Sequence, residues 1–143
     1  MQLKVKLSDG APLPRHAKLG DAGLDLTTRE RVTIPPHDTR KVRTGVRMEI
    51  PEGHVGLCFP RSGLASERGV TLANGVGVID SGFRGEIMAP LHNLSEWHAQ
   101  TVERGERVMQ LVVVRFETCE CVEVGELSET ERGEGGFGSS GRL

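Results

Sequence analysis

The sequence predicts an all-β domain (a sandwich, jelly roll or barrel) that carries one short helix. Three observations predict it. Apolar residues alternate with polar ones at a period of two, Gly and Pro turns interrupt these runs about every ten residues, and a single segment has a helix start and stop. Leu3, Val5 and Leu7 alternate with Lys4 and Lys6 before the turn Ser8-Asp9-Gly10. Pro35-Pro36 breaks the chain again. Val46, Met48 and Ile50 repeat the alternation up to Pro51-Glu52-Gly53, and Val55, Leu57 and Phe59 repeat it after that turn. Each run is expected to turn its apolar side to a core and its polar side to water. The helix is expected over 62–68, after Pro60, with Ser62 as its N-cap and Gly69 as its stop. Asp80-Ser81-Gly82 marks a further turn. The run from Val108 to Val114 is apolar on both faces apart from Gln110, as in a strand buried on both sides. Val122 and Val124 resume the alternation, and Cys119 and Cys121 would point the same way from that strand, half-buried. From 128 to 143 the chain is mostly Gly, Ser, Glu and Arg with Phe137 alone, too little apolar surface to fold by itself. The expected organisation is one domain over 1–127 and an arm over 128–143, either disordered or ordered by a ligand or a neighbouring subunit.

Composition narrows the function. At 143 residues one domain is expected, and 18 Lys and Arg against 20 Asp and Glu leave a formal net charge of −2. A general nucleic-acid binder needs a basic excess, and a single-strand binder needs aromatic platforms; four Phe, one Trp and no Tyr supply neither. The run MQLKVKLSDG has no signal-peptide core, and no apolar run nears membrane-spanning length, so neither nucleic acid nor membrane is an expected partner. Three cysteines without metal-ligand spacing fit a reducing compartment, and a cytoplasmic location is expected.

Walker loops, paired-histidine zinc motifs and nucleophile elbows are absent from the sequence. Three polar segments remain. Pro60-Arg61-Ser62-Gly63 sets a guanidinium and a hydroxyl at a helix start, which suits a phosphate but also serves as an ordinary turn. Gly77-Val78-Ile79-Asp80-Ser81-Gly82-Phe83 puts a carboxylate at a strand end beside an aromatic ring. That is either a plain hairpin or a place for a water and a sugar. The tail from Arg132 to Gly141 is either a linker or a flap whose aromatic ring covers a planar ligand while its amides wrap phosphates.

Taken together, DAGLDL (21–26), PRSGLA (60–65), GVIDSGFRGEI (77–87), GERVMQL (105–111) and RGEGGFGSSG (132–141) closely resemble the five ordered motifs of the homotrimeric dUTPases. The resemblance spans nearly the whole chain. It implies a distorted jelly-roll β-barrel with one short helix and a flexible C-terminal arm, a threefold trimer, and Mg²⁺-dependent hydrolysis of dUTP to dUMP and pyrophosphate. It implies that Asp80 activates the attacking water and that Asp25 reaches Mg²⁺ through coordinated water. Arg61, Ser62, Gly63 and Gln110 would hold phosphates, Asn74 and the backbone of Gly77, Val78 and Ile79 would read uracil, and Phe83 would lie under the deoxyribose. The arm would cross to another subunit. There Arg132 would meet the γ-phosphate, Phe137 would cover the base, and Gly138, Ser139 and Ser140 would complete the phosphate site.

Two departures stand out: Phe83 occupies a position where most of the family carries Tyr, and residues 75–77 differ from the commoner family wording. Losing the hydroxyl removes a hydrogen bond and keeps the apolar contact with the sugar. The related dCTP deaminases share the Arg-Ser segment and the hairpin, but need a glutamate on the following strand. Here that stretch reads Ile87-Met88-Ala89-Pro90-Leu91. A non-catalytic dUTP-sensing jelly roll is the other alternative; the joint presence of Asp25, Asp80, Arg132 and Phe137 speaks for catalysis.

Overall fold

The computed structural model describes residues 1–8 and 10–136. Their elements run β1 (Lys4–Leu7), β2 (Leu24–Thr27), β3 (Val32–Ile34), β4 (Thr39–Arg43), β5 (Val46–Glu49), β6 (His54–Pro60), α1 (Ser62–Arg68), β7 (Val70–Leu72), β8 (Gly77–Ile79), β9 (Met88–Asn93), β10 (Gln100–Val102) and β11 (Arg107–Arg115). Strands pair antiparallel in four sheets: β1-β5, β3-β10, β4-β9-β7 and β2-β11-β6-β8. Most neighbours are distant in sequence, so the chain crosses repeatedly between sheets, as in a distorted jelly roll.

The core between the sheets is aliphatic. Leu26, Ile34, Ile50, Ile87, Leu91, Met109 and Leu111 are each at most 1% exposed. Among the described residues no aromatic ring joins this core; Phe83 and Phe116 are exposed, and Trp97 is 80% exposed. Val46, Met48 and Ile50 bury as the alternation predicts.

The phase of β6 is opposite to expectation. Gly56 and Cys58 face the core, while Val55, Leu57 and Phe59 lie half-buried on the outer face. Gly56 is small because the space is taken: a Cβ there would lie 3.2 Å from both Ile50 Cδ1 and Ile79 Cβ. On the outer face Leu57 registers with Val112 and Val78, and Val55 with Val114, making an apolar stripe. β11 is thus fully buried only at Val108, Met109 and Leu111, and Val112 to Val114 are half-buried. A register shift between Arg107 and Met109 sets Val108 and Met109 inward in succession.

The helix has its predicted span, but Ser62 is its first helical residue rather than its cap. Arg61 stands at its N-cap in an extended conformation without a side-chain bond to the helix, and Gly69 closes it at φ 62°. Beyond Arg115 the expected strand is missing: Cys119, Cys121, Val122 and Val124 are exposed and carry no ladder. Alternation there marks a chain fit for pairing, but among the described residues it meets no partner strand. Among the described residues no helix is long and apolar enough to cross a membrane.

Candidate active site

The outer face of the four-stranded sheet holds a polar pocket lined by charges of both signs. Asp25 on β2 lies opposite Gln110 on β11, which lies opposite Phe59 on β6. These three, with Asp21, Gly23 and Arg61, border a cavity of about 450 Å³. Asp25 is clamped by two guanidinium groups: Arg61 Nη1 pairs with one carboxylate oxygen, and Arg107 Nη1 lies 3.1 Å from the other. Gly23 allows close packing, since a Cβ there would sit 2.8 Å from Gln110 Oε1. At the mouth of α1, Ser62 and Gly63 are exposed. A Cβ at Gly63 would meet nothing within 4 Å, so packing inside this chain does not demand glycine there.

The inner side of the same sheet opens into a second cavity, of about 300 Å³. Asn74, Gly77, Val78 and Ile79 line it, with Cys58 beneath and Lys41 and Glu86 at its wall. Cys58 and Phe59 are consecutive on β6, and Met109 and Gln110 on β11, yet the first of each pair faces this cavity and the second faces the other. The two pockets therefore lie on opposite faces of one sheet. β8 is the sheet edge, so one side of its backbone is free to read a ligand. A side chain at Gly77 would crowd Cys58, with 3.1 Å between Cβ atoms. Burial pushes the Cys58 thiol up to about 11, which keeps it a neutral floor.

Asp80 follows β8 directly and is exposed, and its carbonyl accepts the Phe83 amide at 3.1 Å. The Phe83 ring lies over Gly85, where a Cβ would come within 2.6 Å of its Cζ. Within one chain, then, Asp25, Arg61 and Gln110 converge, and Asn74, Gly77, Val78 and Ile79 converge with Asp80 and Phe83 beside them, but the two groups share no cavity. Arg132 is exposed and donates to Gly135 O at 2.9 Å inside its own segment. Phe137, Gly138, Ser139 and Ser140 lie outside the described residues.

Sequence reasoning missed Arg107 and Glu86. The register shift beside Arg107 hides its reach to Asp25 from any simple alternation, and Glu86 finds its partners on a turn distant in sequence. Among the described residues no three His, Cys, Asp or Glu side chains could hold a metal together. Asp25 and Asp21 border one cavity and are oxygen donors of the kind Mg²⁺ takes alongside water and phosphates, with Asp25 paired to Arg61 and Arg107 in this state.

The dUTPase family model matches residues 9–141. The chain is 49% identical over 142 residues to the deoxyuridine 5'-triphosphate nucleotidohydrolase of Mycobacterium marinum, covering 96% of this chain and 92% of that one. The dUTPase of Staphylococcus bacteriophage 80alpha, solved with dUpNHpp, superposes with a TM-score of 0.89 at 34% identity over 98% of each chain. A mutant dUTPase from phage phi11 of S. aureus, described with a structural Mg(II) ion, superposes with a TM-score of 0.80 at 27% identity, over 88% of this chain and 98% of its own.

Proposed function

Because this chain belongs to the dUTPase family, we infer that it hydrolyses dUTP to dUMP and pyrophosphate. The observation that carries the reading is the pair of cavities. One offers the guanidinium of Arg61 to an anion, and the other offers an amide and a free strand edge to a planar base. Their separation on opposite faces of one sheet supports a shared site, in which Asp80 of one copy meets Arg61 of another. We propose a homotrimer in the cytoplasm, with the apolar stripe of Val55, Leu57, Val112 and Val114 covered by other copies and the arm beyond 127 reaching a neighbouring subunit.

In this reading Asn74 and the β8 backbone hold the uracil edge, and a base lacking the matching groups leaves them unpaired once the ligand covers them, a costly mismatch. Phe83 supports the deoxyribose. Arg61, Ser62, Gly63 and Gln110 hold the phosphates, and Arg61 must exchange its partner Asp25 for substrate to do so. Mg²⁺, held by the phosphates with Asp25 reaching it through water, would neutralise charge on the triphosphate. Asp80 accepts the proton of a water aligned with the α-phosphorus, and positioning that water is worth roughly 7–11 kcal/mol at best. Arg132, Phe137, Gly138, Ser139 and Ser140 close over the nucleotide and exclude bulk water.

The test is incubation with each deoxynucleoside triphosphate and with UTP, with and without Mg²⁺, following pyrophosphate. Release from dUTP alone, and only with the metal, is the expected result; release from every nucleotide would remove the base-reading cavity from its role.

A further inference from the structure

Glu86 is a charged side chain only 6% exposed, set at the end of the loop between β8 and β9. Its Oε1 accepts the Gly45 amide at 2.7 Å, and its Oε2 accepts Arg43 Nη2 at 2.9 Å and Nε at 3.2 Å. The next residue continues the grip. Ile87 N–H donates to Val46 O at 2.9 Å, and Thr44 Oγ1 donates to Ile87 O at 2.5 Å. Every residue from Arg43 to Val46 thus bonds to Glu86 or Ile87. The turn they form is itself fixed, with Gly45 at φ 74° and a Cβ there excluded by Ala11 Cβ at 2.7 Å.

The loop so anchored carries Asp80 and Phe83. Between Asp80 and Glu86 the bonds are local: Phe83 N–H to Asp80 O, and Arg84 Nη1 to Ser81 O and Phe83 O. Gly85, the neighbour of Glu86, is the surface on which the Phe83 ring rests. Glu86 also stands in the wall of the cavity that Asn74 and Gly77 line. Resting on the dUTP-hydrolase reading, we propose that Glu86 is a positioning residue for that reaction, holding the loop of Asp80 and Phe83 in its working shape through the 43–46 turn.

The carboxylate is charged for this task. Burial pushes it up, but the Arg43 bond, the Gly45 amide and the charges of Arg43 and Arg47 outweigh burial and hold it below the ordinary value. Lys41 on β4 faces the same cavity, and Glu30 faces Arg43. A strained or wandering loop would displace Asp80 from the water it must orient, and small misplacements of this kind cost up to about a hundredfold in rate.

Removing an ion pair that only stabilised the fold would lower the melting temperature and leave turnover per folded molecule unchanged. Glu86→Gln keeps the volume and one acceptor for Gly45 and loses the charge; Glu86→Ala loses both. Below the melting temperature of each variant, kcat for dUTP is expected to fall roughly ten- to a hundredfold in Glu86→Ala and less in Glu86→Gln, with KM moving less than kcat. The Phe83 amide is expected to exchange faster with solvent, and amides of β11 to keep their rates. Arg43→Gln, made on the exposed partner, reports the same split should Glu86→Ala fail to fold. Folded variants with wild-type kcat would overturn the role of Glu86. A wild-type chain that releases no pyrophosphate from dUTP would instead overturn the function on which the role rests.

Discussion

Asp80 stands exposed at the end of an edge strand, and among the described residues no guanidinium pairs with its carboxylate, unlike Asp25, whose two oxygens are both engaged. The two carboxylates therefore suit different tasks: a free one can take a proton, and a clamped one can orient cations and water. Asp80→Asn is expected to lower kcat by roughly 10²- to 10⁴-fold while a non-cleavable dUTP analogue binds with near wild-type affinity, as measured by titration calorimetry. Glu86 makes a second prediction at this scale. Its carboxyl lies below the ordinary value of 4.5, so near that pH the unfolded chain binds more protons than the folded one. The stability it contributes is complete above about 4.5 and is lost as pH falls through the lowered value. Melts of wild type and Glu86→Gln should differ at neutral pH and converge on acidification. Neither Glu86 nor Arg107 was legible in the sequence, because their partners lie on the 43–46 turn and on β2, and side-chain pairing across such distances leaves no local pattern.

Elements were easier to read than their facing. The span of α1, the burial of β5 and the strand end at Asp80 follow from turn chemistry and period-two alternation, both of which are local. β6 misleads because both its faces are apolar or small: Gly56 and Cys58 look like the weaker set, yet the crowding by Ile50 and Ile79 selects them for the core. Ser62 looked like a cap because serine is a good one, but here its hydroxyl sits one residue inside the helix, where it is exposed and available to a ligand. The segment around Cys119 to Val124 alternates like a strand and finds no ladder among the described residues. Truncation after Thr130 removes Arg132 and everything beyond it without touching the core. The shortened protein is expected to keep its melting temperature and its mass in solution and to lose most of its turnover; full activity would reduce the tail to a linker.

At the scale of the molecule, two cavities on opposite faces of one sheet make a single chain an incomplete machine under the proposed mechanism. Mixing gives the decisive measurement. Asp80→Asn and Arg61→Ala, each nearly inactive alone, should recover part of the wild-type rate when unfolded and refolded together, since some sites then combine an intact Asp80 with an intact Arg61 from different copies. No recovery would place all the chemistry within one chain. Such refolding has to be followed by a suitable signal, and the aliphatic core decides which. The lone indole, that of Trp97, is 80% exposed in the native fold, and there is no Tyr at all. Its emission should already resemble that of an indole in water before any denaturant is added, so intrinsic fluorescence will be nearly blind to the loss of this fold, and backbone circular dichroism is the signal to follow.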